Sequence, residues 1–171
     1  MDSFGKIVSI FIAVILLFLF PLQYMAQKQE LLLQSYIMKE TSYFIDSVRN
    51  LGYMTKDMYE TYYKKISLGS NSYDIEITHY KYGLYYDEED ITSEEYLEHY
   101  SCTYTEDIFK TLSDGNHDYR YLFNQYDYVT ISVYRKNVSF AMRLQLLLAG
   151  RSGGDRECIT IYGGMIRDEI Y

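Results

Sequence analysis

The first 51 residues of this chain show one long pattern of apolar and polar positions that is typical of a helix. Residues 7–22 are apolar except for Ser9, and no turn signal separates this run from the more polar stretch that follows. In that stretch apolar residues recur every three or four positions, which predicts a helix with one apolar face. Gly52 favours an end of this helix near Leu51. The recurring residues are Leu33, Tyr36, Ile37, Phe44 and Val48.

The first part of this helix is long enough to cross a membrane. A helix rises about 1.5 Å per residue and a bilayer core is about 30 Å thick, so about 20 apolar residues span it. Residues 7–26 supply that length, and apolar side chains surround the helix on all sides, which favours lipid over water. The residues assigned to the membrane anchor are Ile7, Ile10, Phe11, Val14, Leu17, Phe18 and Pro21.

A cleaved signal peptide is the alternative interpretation of the same run. Its apolar core would be residues 7–20, with Lys6 as the basic flank. The cleavage site would then be poor, because Tyr24-Met25-Ala26 puts a bulky tyrosine where a small residue is needed. This mismatch favours a retained anchor.

The membrane interpretation divides the chain into three parts. They are a cytoplasmic leader over residues 1–6, a transmembrane helix over 7–26 and an extracytoplasmic domain over 27–171. The positive-inside rule barely distinguishes the two sides, because basic residues flank both ends of the span. A short tail inside and a large domain outside is the commoner arrangement for this layout. We therefore predict a single-pass protein of the cell membrane with its C-terminal domain outside the cytoplasm.

Three short helices are predicted after the long one. Thr55 is a suitable N-cap for the first of them. Thr92 and Glu95 form a capping box, which predicts the start of the second. The predicted ranges are 56–67, 92–100 and 105–112.

Alternating apolar and polar residues predict an antiparallel sheet in the rest of the chain. Gly163 and Gly164 interrupt the last of its strands and are interpreted as a bulge or kink. The predicted fold class is α+β, with the long N-terminal helix packed on a small antiparallel sheet. The predicted strands are 73–78, 129–134, 138–148 and 157–166.

The net negative charge of the chain lies entirely in its second part. The formal net charge is −8, and residues 1–50 carry four acidic and four basic residues, so residues 51–171 hold the whole excess. An acidic domain repels phosphate backbones, which argues against nucleic acid as a partner. The chain has 22 tyrosines and no tryptophan. This composition fits either an adhesive surface or the ordinary use of tyrosine in strands.

Two cysteines leave two alternatives open. In an exported domain Cys102 and Cys158 could form a disulfide, which would close a long loop. They could equally be two reduced thiols that pack as small apolar side chains. The chain has no CxxC pattern and no Cys/His ligand spacing, so we expect no structural zinc site.

Candidate catalytic and metal residues do not form a recognised pattern. Asp114, Asn116 and Asp118 have the opening spacing of a calcium loop, but Tyr119 and Gln125 stand where glycine and glutamate are required. The three histidines lie far apart in sequence. No phosphate-binding loop or nucleophile elbow is present in the sequence. We therefore expect no enzymatic activity, no cofactor and no metal.

Several short segments are typical of one family of assembly proteins. These segments are Phe4-Gly5-Lys6, the run 7–20, Phe44-Ile45-Asp46-Ser47-Val48-Arg49, Gly52-Tyr53-Met54-Thr55 and Tyr162-Gly163-Gly164-Met165-Ile166-Arg167. With them, the layout resembles type IV pilin-like subunits (pseudopilins), and within them the small TadE-like proteins of tight-adherence pilus systems.

The resemblance implies a structural role at the envelope. Pilin-like families usually carry a glutamate soon after the processing site, and residues 6–10 contain no acid. A minor or accessory subunit that stays in the membrane therefore fits better than a main filament subunit. The implied partners are the lipid bilayer and other pilin-like or assembly-platform subunits. The alternative function is a membrane-tethered, extracytoplasmic binding or sensor domain that uses an acidic, tyrosine-rich face.

Overall fold

The computed structural model describes residues 2–67, 72–86, 96–114, 119–137, 143, 146–147 and 156–167. Within these ranges the side chains of residues 2–3, 84–86 and 96–100 are not described. The helices are α1 (Asp2–Leu51), α2 (Lys56–Ile66) and α3 (Thr105–Ser113). The strands are β1 (Tyr53–Thr55), β2 (Tyr73–Tyr86), β3 (Tyr96–Tyr104), β4 (Arg120–Leu122), β5 (Tyr128–Arg135) and β6 (Glu157–Met165).

The fold is α+β, as predicted, with one long apolar helix and two antiparallel sheets. The larger sheet has the strand order β3-β2-β5-β6, and β1 pairs with β4 in a two-stranded ribbon. Every one of these pairings is antiparallel. The prediction of a long N-terminal helix on a small antiparallel sheet is therefore confirmed.

The chain forms two compact units. One contains Met1–Ser35 together with Asn137–Asp155, and the other contains Tyr36–Lys136 together with Arg156–Tyr171. Helix α1 runs without a break through the boundary at residue 35. Its first part therefore belongs to the first unit and its last turns belong to the second.

The core of the second unit combines one face of α1 with one face of the larger sheet. The buried positions of α1 follow the predicted helical spacing, and those of β2 and β5 alternate along each strand. Each fully buried apolar side chain contributes about 1.5–3 kcal/mol relative to an exposed one. The buried apolar residues of these elements include Ile37, Phe44, Ile45, Val48, Ile75, Ile77, Val129, Ile131 and Val133.

Local signals explain where α1 ends and α2 begins. Gly52 has a φ of 70°, a left-handed conformation that glycine adopts without steric cost. Its N–H donates to the carbonyl of Val48 at 2.9 Å, which closes the last turn of α1. Thr55 caps α2 as predicted, because its hydroxyl accepts a hydrogen bond from the N–H of Met58.

The predicted helix over residues 92–100 is wrong where the structure describes it. Residues 96–100 belong to β3, which pairs with β2 from Tyr86↔Tyr96 to Thr78↔Tyr104. The capping box of Thr92 and Glu95 lies outside the described residues. Pairing with β2 outweighs a weak local helix signal, because β2 continues to Tyr86 rather than ending at residue 78.

The predicted strand over residues 138–148 is also wrong at its described positions. Arg143, Leu146 and Leu147 are helical, and the other residues of that range lie outside the described residues. The sheet positions on either side of β5 are filled by β2 and β6. No place beside β5 is left for a returning strand.

Candidate functional site

The predicted anchor residues lie on the surface of α1. The side chains of Ile10, Phe11, Leu17 and Phe18 are between 65% and 70% exposed, and Pro21 lies inside an uninterrupted helix. The most apolar 18-residue window of α1 has a mean hydropathy of 2.5 and no buried residue. Helix α1 is therefore long and apolar enough, near the N-terminus, to cross a membrane.

Arg49 joins the end of α1 to the end of β6. Its Nε donates to the carbonyl of Met165 at 2.9 Å, and its Nη1 lies 2.8 Å from a carboxylate oxygen of Asp46. The backbone continues the contact, because the N–H of Arg167 donates to the carbonyl of Arg49. The side chain of Arg49 is only 13% exposed, so this ion pair is partly protected from water.

Gly163 and Gly164 provide the space for this junction. A Cβ at residue 164 would lie 2.5 Å from the guanidinium carbon of Arg49, and one at residue 163 would lie 2.6 Å from the carbonyl oxygen of Val129. The predicted bulge at these glycines is wrong, because both pair in register with β5. The irregularity lies between Val133 and Tyr134 and leaves Ile159 as the extra residue of β6.

A buried polar cluster lies behind the larger sheet. His79 of β2 and Asp127 are fully buried and Tyr121 of β4 is 5% exposed. The Nδ1 of His79 lies 2.7 Å from the hydroxyl of Tyr121, and its Nε2 lies 2.8 Å from Oδ2 of Asp127. The ring of Phe123 packs edge-on against the imidazole at 4.7 Å.

Hydrogen bonds assign the protons in this cluster. A carboxylate only accepts, so Nε2 of His79 carries the hydrogen that Asp127 receives. In the neutral imidazole Nδ1 is then the acceptor, and it receives the proton of the Tyr121 hydroxyl. Burial lowers the pKa of His79 below its ordinary value of 6.5, and the hydrogen bond with Asp127 opposes this shift. Burial also raises the pKa of Tyr121, so its hydroxyl keeps its proton.

The carboxylate of Asp127 also fixes nearby backbone. It accepts hydrogen bonds from the N–H groups of Tyr82 and Asn124, each at 2.9 Å. The backbone carbonyl of Asp127 accepts from the N–H of Ile166 at 2.8 Å. The cluster therefore connects β2, the turn before β5 and the end of β6. Because its groups are buried and hydrogen-bonded to one another, the arrangement suits a structural role rather than contact with a substrate.

The sequence contained little sign of this cluster. His79 is separated from Tyr121 by 42 residues and from Asp127 by 48. One signal was available. His79 follows Ile75 and Ile77 at the two-residue spacing of a strand, so it lies on the same face of the strand as these two residues. That position placed the imidazole among buried side chains but did not identify its partners.

Two of the open cavities on the described part of the second unit are of interest for binding. One of about 250 Å³ lies between α1 and α2. Another of about 300 Å³ lies on the outer face of the larger sheet, and most of its lining is apolar. The first is lined by residues that include Glu40, Tyr43, Ser47, Asp57, Thr61 and Lys65, and the second by Tyr80, Tyr128, Thr130 and Met165.

The cysteines do not form a disulfide with each other. Cys102 and Cys158 are both free and exposed. They lie on β3 and β6, the two outer strands of the larger sheet, so three strand spacings of about 4.8 Å separate them. A disulfide requires Cα atoms within about 7 Å. The alternative of a disulfide between Cys102 and Cys158 is therefore wrong, because the order of the strands keeps the two residues too far apart.

The remaining sequence candidates are not brought together. In the described part of the chain no group of three or more His, Cys, Asp or Glu residues is arranged to hold a metal ion. Asp114 is the C-cap of α3 and Tyr119 has a left-handed φ of 58°. Asn116, Asp118 and His117 lie outside the described residues.

Comparison of the chain with protein-family models, curated proteins and solved structures finds no match in any of the three. The resemblance to TadE-like proteins therefore stays a prediction. What can be said of function depends on the geometry of α1 and of the second unit.

Proposed function

We propose that this chain is a non-enzymatic, membrane-anchored subunit of a pilus- or secretion-type envelope assembly, with its domain outside the cytoplasm. The observation that carries the proposal is the continuity of α1. The helix that exposes apolar residues from Ile7 to Phe20 also supplies Ile37, Phe44 and Val48 to the core of the second unit. A domain that merely needed a tether would not require the anchor helix to be part of its core.

The second unit supports a structural role in the same way. Its best-organised polar cluster, around His79 and Asp127, is buried and internally hydrogen-bonded. Arg49 fixes the end of α1 to β6. The first set of contacts joins β2, β4 and the turn before β5, and the second holds the end of α1 against β6. In an assembly, the apolar surface of α1 could exchange lipid contacts for contacts with other helices at small net cost.

A second candidate function is a membrane-tethered binding or sensor domain. The observation that favours it is the open cavity on the outer face of the larger sheet, where Tyr80, Tyr128 and Met165 form an aromatic and apolar lining. Tyrosine rings provide contact area at low entropic cost, which suits binding surfaces. This candidate shares the anchor with the first but would act without other subunits.

The mass of the mature N-terminus and the extraction behaviour of the full chain test the proposal. We expect the chain to keep its apolar segment and to stay in the membrane fraction after alkaline carbonate. A chain that begins after Ala26 and is free in the medium would overturn the anchor.

Purification of the tagged full chain from native membranes in mild detergent separates the two functions. Co-purification of other single-span subunits and a polytopic platform protein supports the assembly subunit. A chain recovered alone after chemical cross-linking in the membrane would reject it in favour of the tethered domain.

A further inference from the structure

The outer face of the larger sheet lies opposite the face that packs on α1, and alternate residues of the four strands form it. The strand register places Tyr80, Tyr128 and Met165 side by side across β2, β5 and β6. The large side chains that stand out from this face are between 40% and 62% exposed, and they are Tyr104, Tyr128, Ile161 and Met165. Tyrosine and methionine are enriched in the cores of protein interfaces, so this face has the composition of a contact surface.

The outer face carries both a recess and a projecting apolar side chain. The recess is the cavity of about 300 Å³, and Tyr128, Thr130 and Met165 form part of its lining. Gly163 pairs with Thr130, and its lack of a side chain keeps the surface low between Ile161 and Met165. Ile161 lies two residues before Gly163, on the same face of β6, and it is 61% exposed. An apolar side chain that suits the recess therefore stands beside it.

Charges of both signs lie at one end of this face in equal number. The Nη2 atom of Arg156 lies 2.9 Å from a carboxylate oxygen of Glu76 and also contacts Asp74. The Nζ atom of Lys136 lies 4.0 Å from the carboxylate of Asp74. These two acids and two bases cancel, although residues 51–171 as a whole are strongly acidic. Two copies of this face can therefore meet without the repulsion that the rest of the domain would produce.

We propose that the outer face is the contact between two copies of this chain in the membrane, with Ile161 of each copy in the recess of the other. This inference rests on the proposed function, because it names one subunit that the anchored chain contacts. A two-fold contact requires a surface that is complementary to itself. A face that holds a recess, an apolar side chain beside it and balanced charges meets this condition.

The size of the outer face determines how strong this contact is. At about 3.4 Å per residue and about 4.8 Å between strands, the described parts of the four strands cover about 500 Å² in each copy. Two copies would bury about 1,000 Å² in total, which is the lower limit for a specific interface. Chains anchored in the same bilayer meet at a high effective concentration, so a contact of this size is sufficient there. The contact should therefore be measured in the membrane rather than after dilution in detergent.

Disulfide cross-linking in membranes that contain the full chain tests this contact. The chain would carry Cys102→Ser and Cys158→Ser, and one new cysteine would be oxidised with copper phenanthroline. Thr130→Cys lies between Ile161 and the recess, where a two-fold axis brings equivalent residues together. Thr61→Cys, at an exposed position of α2, is the control for random collision. We expect a cross-linked dimer from the first variant and almost none from the second.

Ile161→Glu tests the apolar part of the contact. Combined with Thr130→Cys, it should lower the yield of dimer by at least about tenfold, because an isoleucine of each copy loses its burial. Leu122→Glu is the matched control, since it changes an exposed apolar residue of β4, outside the larger sheet. It should leave the yield unchanged. Both variants should stay in the membrane fraction, because neither changes α1.

The results that would overturn the contact differ from those that would overturn the proposed function. Equal cross-linking at residues 130 and 61 would show collision rather than a contact, and an unchanged yield with Ile161→Glu would reject the apolar contact. Cross-linking of residue 130 to a different protein would reject a second copy as the occupant. Dimers that form only through Leu17→Cys, in the predicted span, would show association through α1, which rejects the outer-face contact and keeps the proposed function. Loss of the cysteine-free chain from the membrane fraction would reject the proposed function itself.

Discussion

Arg49 occupies the space that a side chain at residue 164 would need. We predict that Gly164→Ala displaces its guanidinium, weakens the hydrogen bond with Met165 and lowers the free energy of unfolding by about 1–3 kcal/mol. Gly163→Ala should cost at least as much, because its new Cβ meets the backbone carbonyl of Val129, which cannot move without separating β5 from β6. Urea unfolding of the full chain in detergent micelles measures both.

Two controls make this prediction specific. Gly5→Ala should not lower the stability, because nothing lies within 4 Å of a Cβ there and alanine favours a helix more than glycine does. In an Arg49→Ala background, Gly164→Ala should become nearly neutral while Gly163→Ala keeps its cost, since only the first depends on the guanidinium. Equal costs of Gly164→Ala with and without Arg49 would show that the contact with Arg49 is not the cause.

His79 makes the stability of the second unit dependent on pH. Burial lowers its pKa in the folded chain below 6.5, so the unfolded chain binds more protons between that lowered pKa and about 6.5. The contribution of His79 to the free energy of unfolding should therefore be constant above about pH 7.5 and fall as the pH drops below about 6.5. Urea unfolding at a series of pH values between about 5 and 8 measures how the free energy of unfolding changes with pH.

The matched variant for this prediction is His79→Gln, which can still donate to Asp127 but does not titrate. It should be less stable than the original chain at neutral pH, and it should lose the part of the acid dependence that His79 supplies. His99 and His117 are present in both proteins, so their contributions cancel in the difference. Parallel pH profiles for the two proteins would contradict a role for His79.

At the residue scale the sequence could predict caps better than clusters. Gly52 and Thr55 act within four residues of themselves, and both were predicted correctly. Gly163 and Gly164 were recognised as unusual. The reason that glycine is needed there is the close approach of Val129 and Arg49, which are distant in sequence. A residue whose role depends on a remote neighbour cannot be interpreted before the topology is known.

At the element scale, α1 and α2 are joined by a buried pair of hydroxyls. Thr41 donates to the carbonyl of Ile37 at 2.7 Å, and its hydroxyl lies 2.8 Å from that of Tyr62, whose ring stacks on Phe44. Because the hydroxyl hydrogen of Thr41 is used, Tyr62 donates to it. Tyr62→Phe should lower the free energy of unfolding by about 1 kcal/mol, measured by urea unfolding.

Tyr63 provides the control for this helix contact. It is the next residue of α2 and is 37% exposed, so Tyr63→Phe removes a hydroxyl that water can satisfy. We expect almost no change in stability from Tyr63→Phe. If both variants lose the same amount, the effect belongs to α2 itself rather than to its contact with α1.

Elements with a strong local period were predicted, and elements defined by pairing were not. Helix α2, helix α3 and strand β5 agree closely with the apolar pattern of the sequence. Strand β3 was mistaken for a helix at residues 96–100 because its partner, β2, was predicted to end eight residues too early. Strands β1 and β4 have three residues each, too few for an alternating pattern to be recognised.

At the scale of the whole molecule, α1 raises the question of where the membrane ends. Exposed apolar residues continue past the predicted boundary at residue 26, with Leu31 and Leu32 more than 60% exposed. Composition alone therefore does not distinguish a membrane-embedded residue from one on the helix surface beyond it. The predicted boundaries at residues 6 and 26 need a test that measures insertion directly.

Paired arginine substitutions provide that test. Val14→Arg with Leu17→Arg places two charges at the centre of the predicted span, at a cost of about 2.5–3.5 kcal/mol each. We expect this double variant to be released by alkaline carbonate. Leu31→Arg with Leu32→Arg, five residues or more beyond the span, should stay in the membrane fraction, because its charges are in water. Release of both variants would move the boundary outward, since residues 31 and 32 would then also lie in lipid, and retention of both would reject the anchor at residues 7–26.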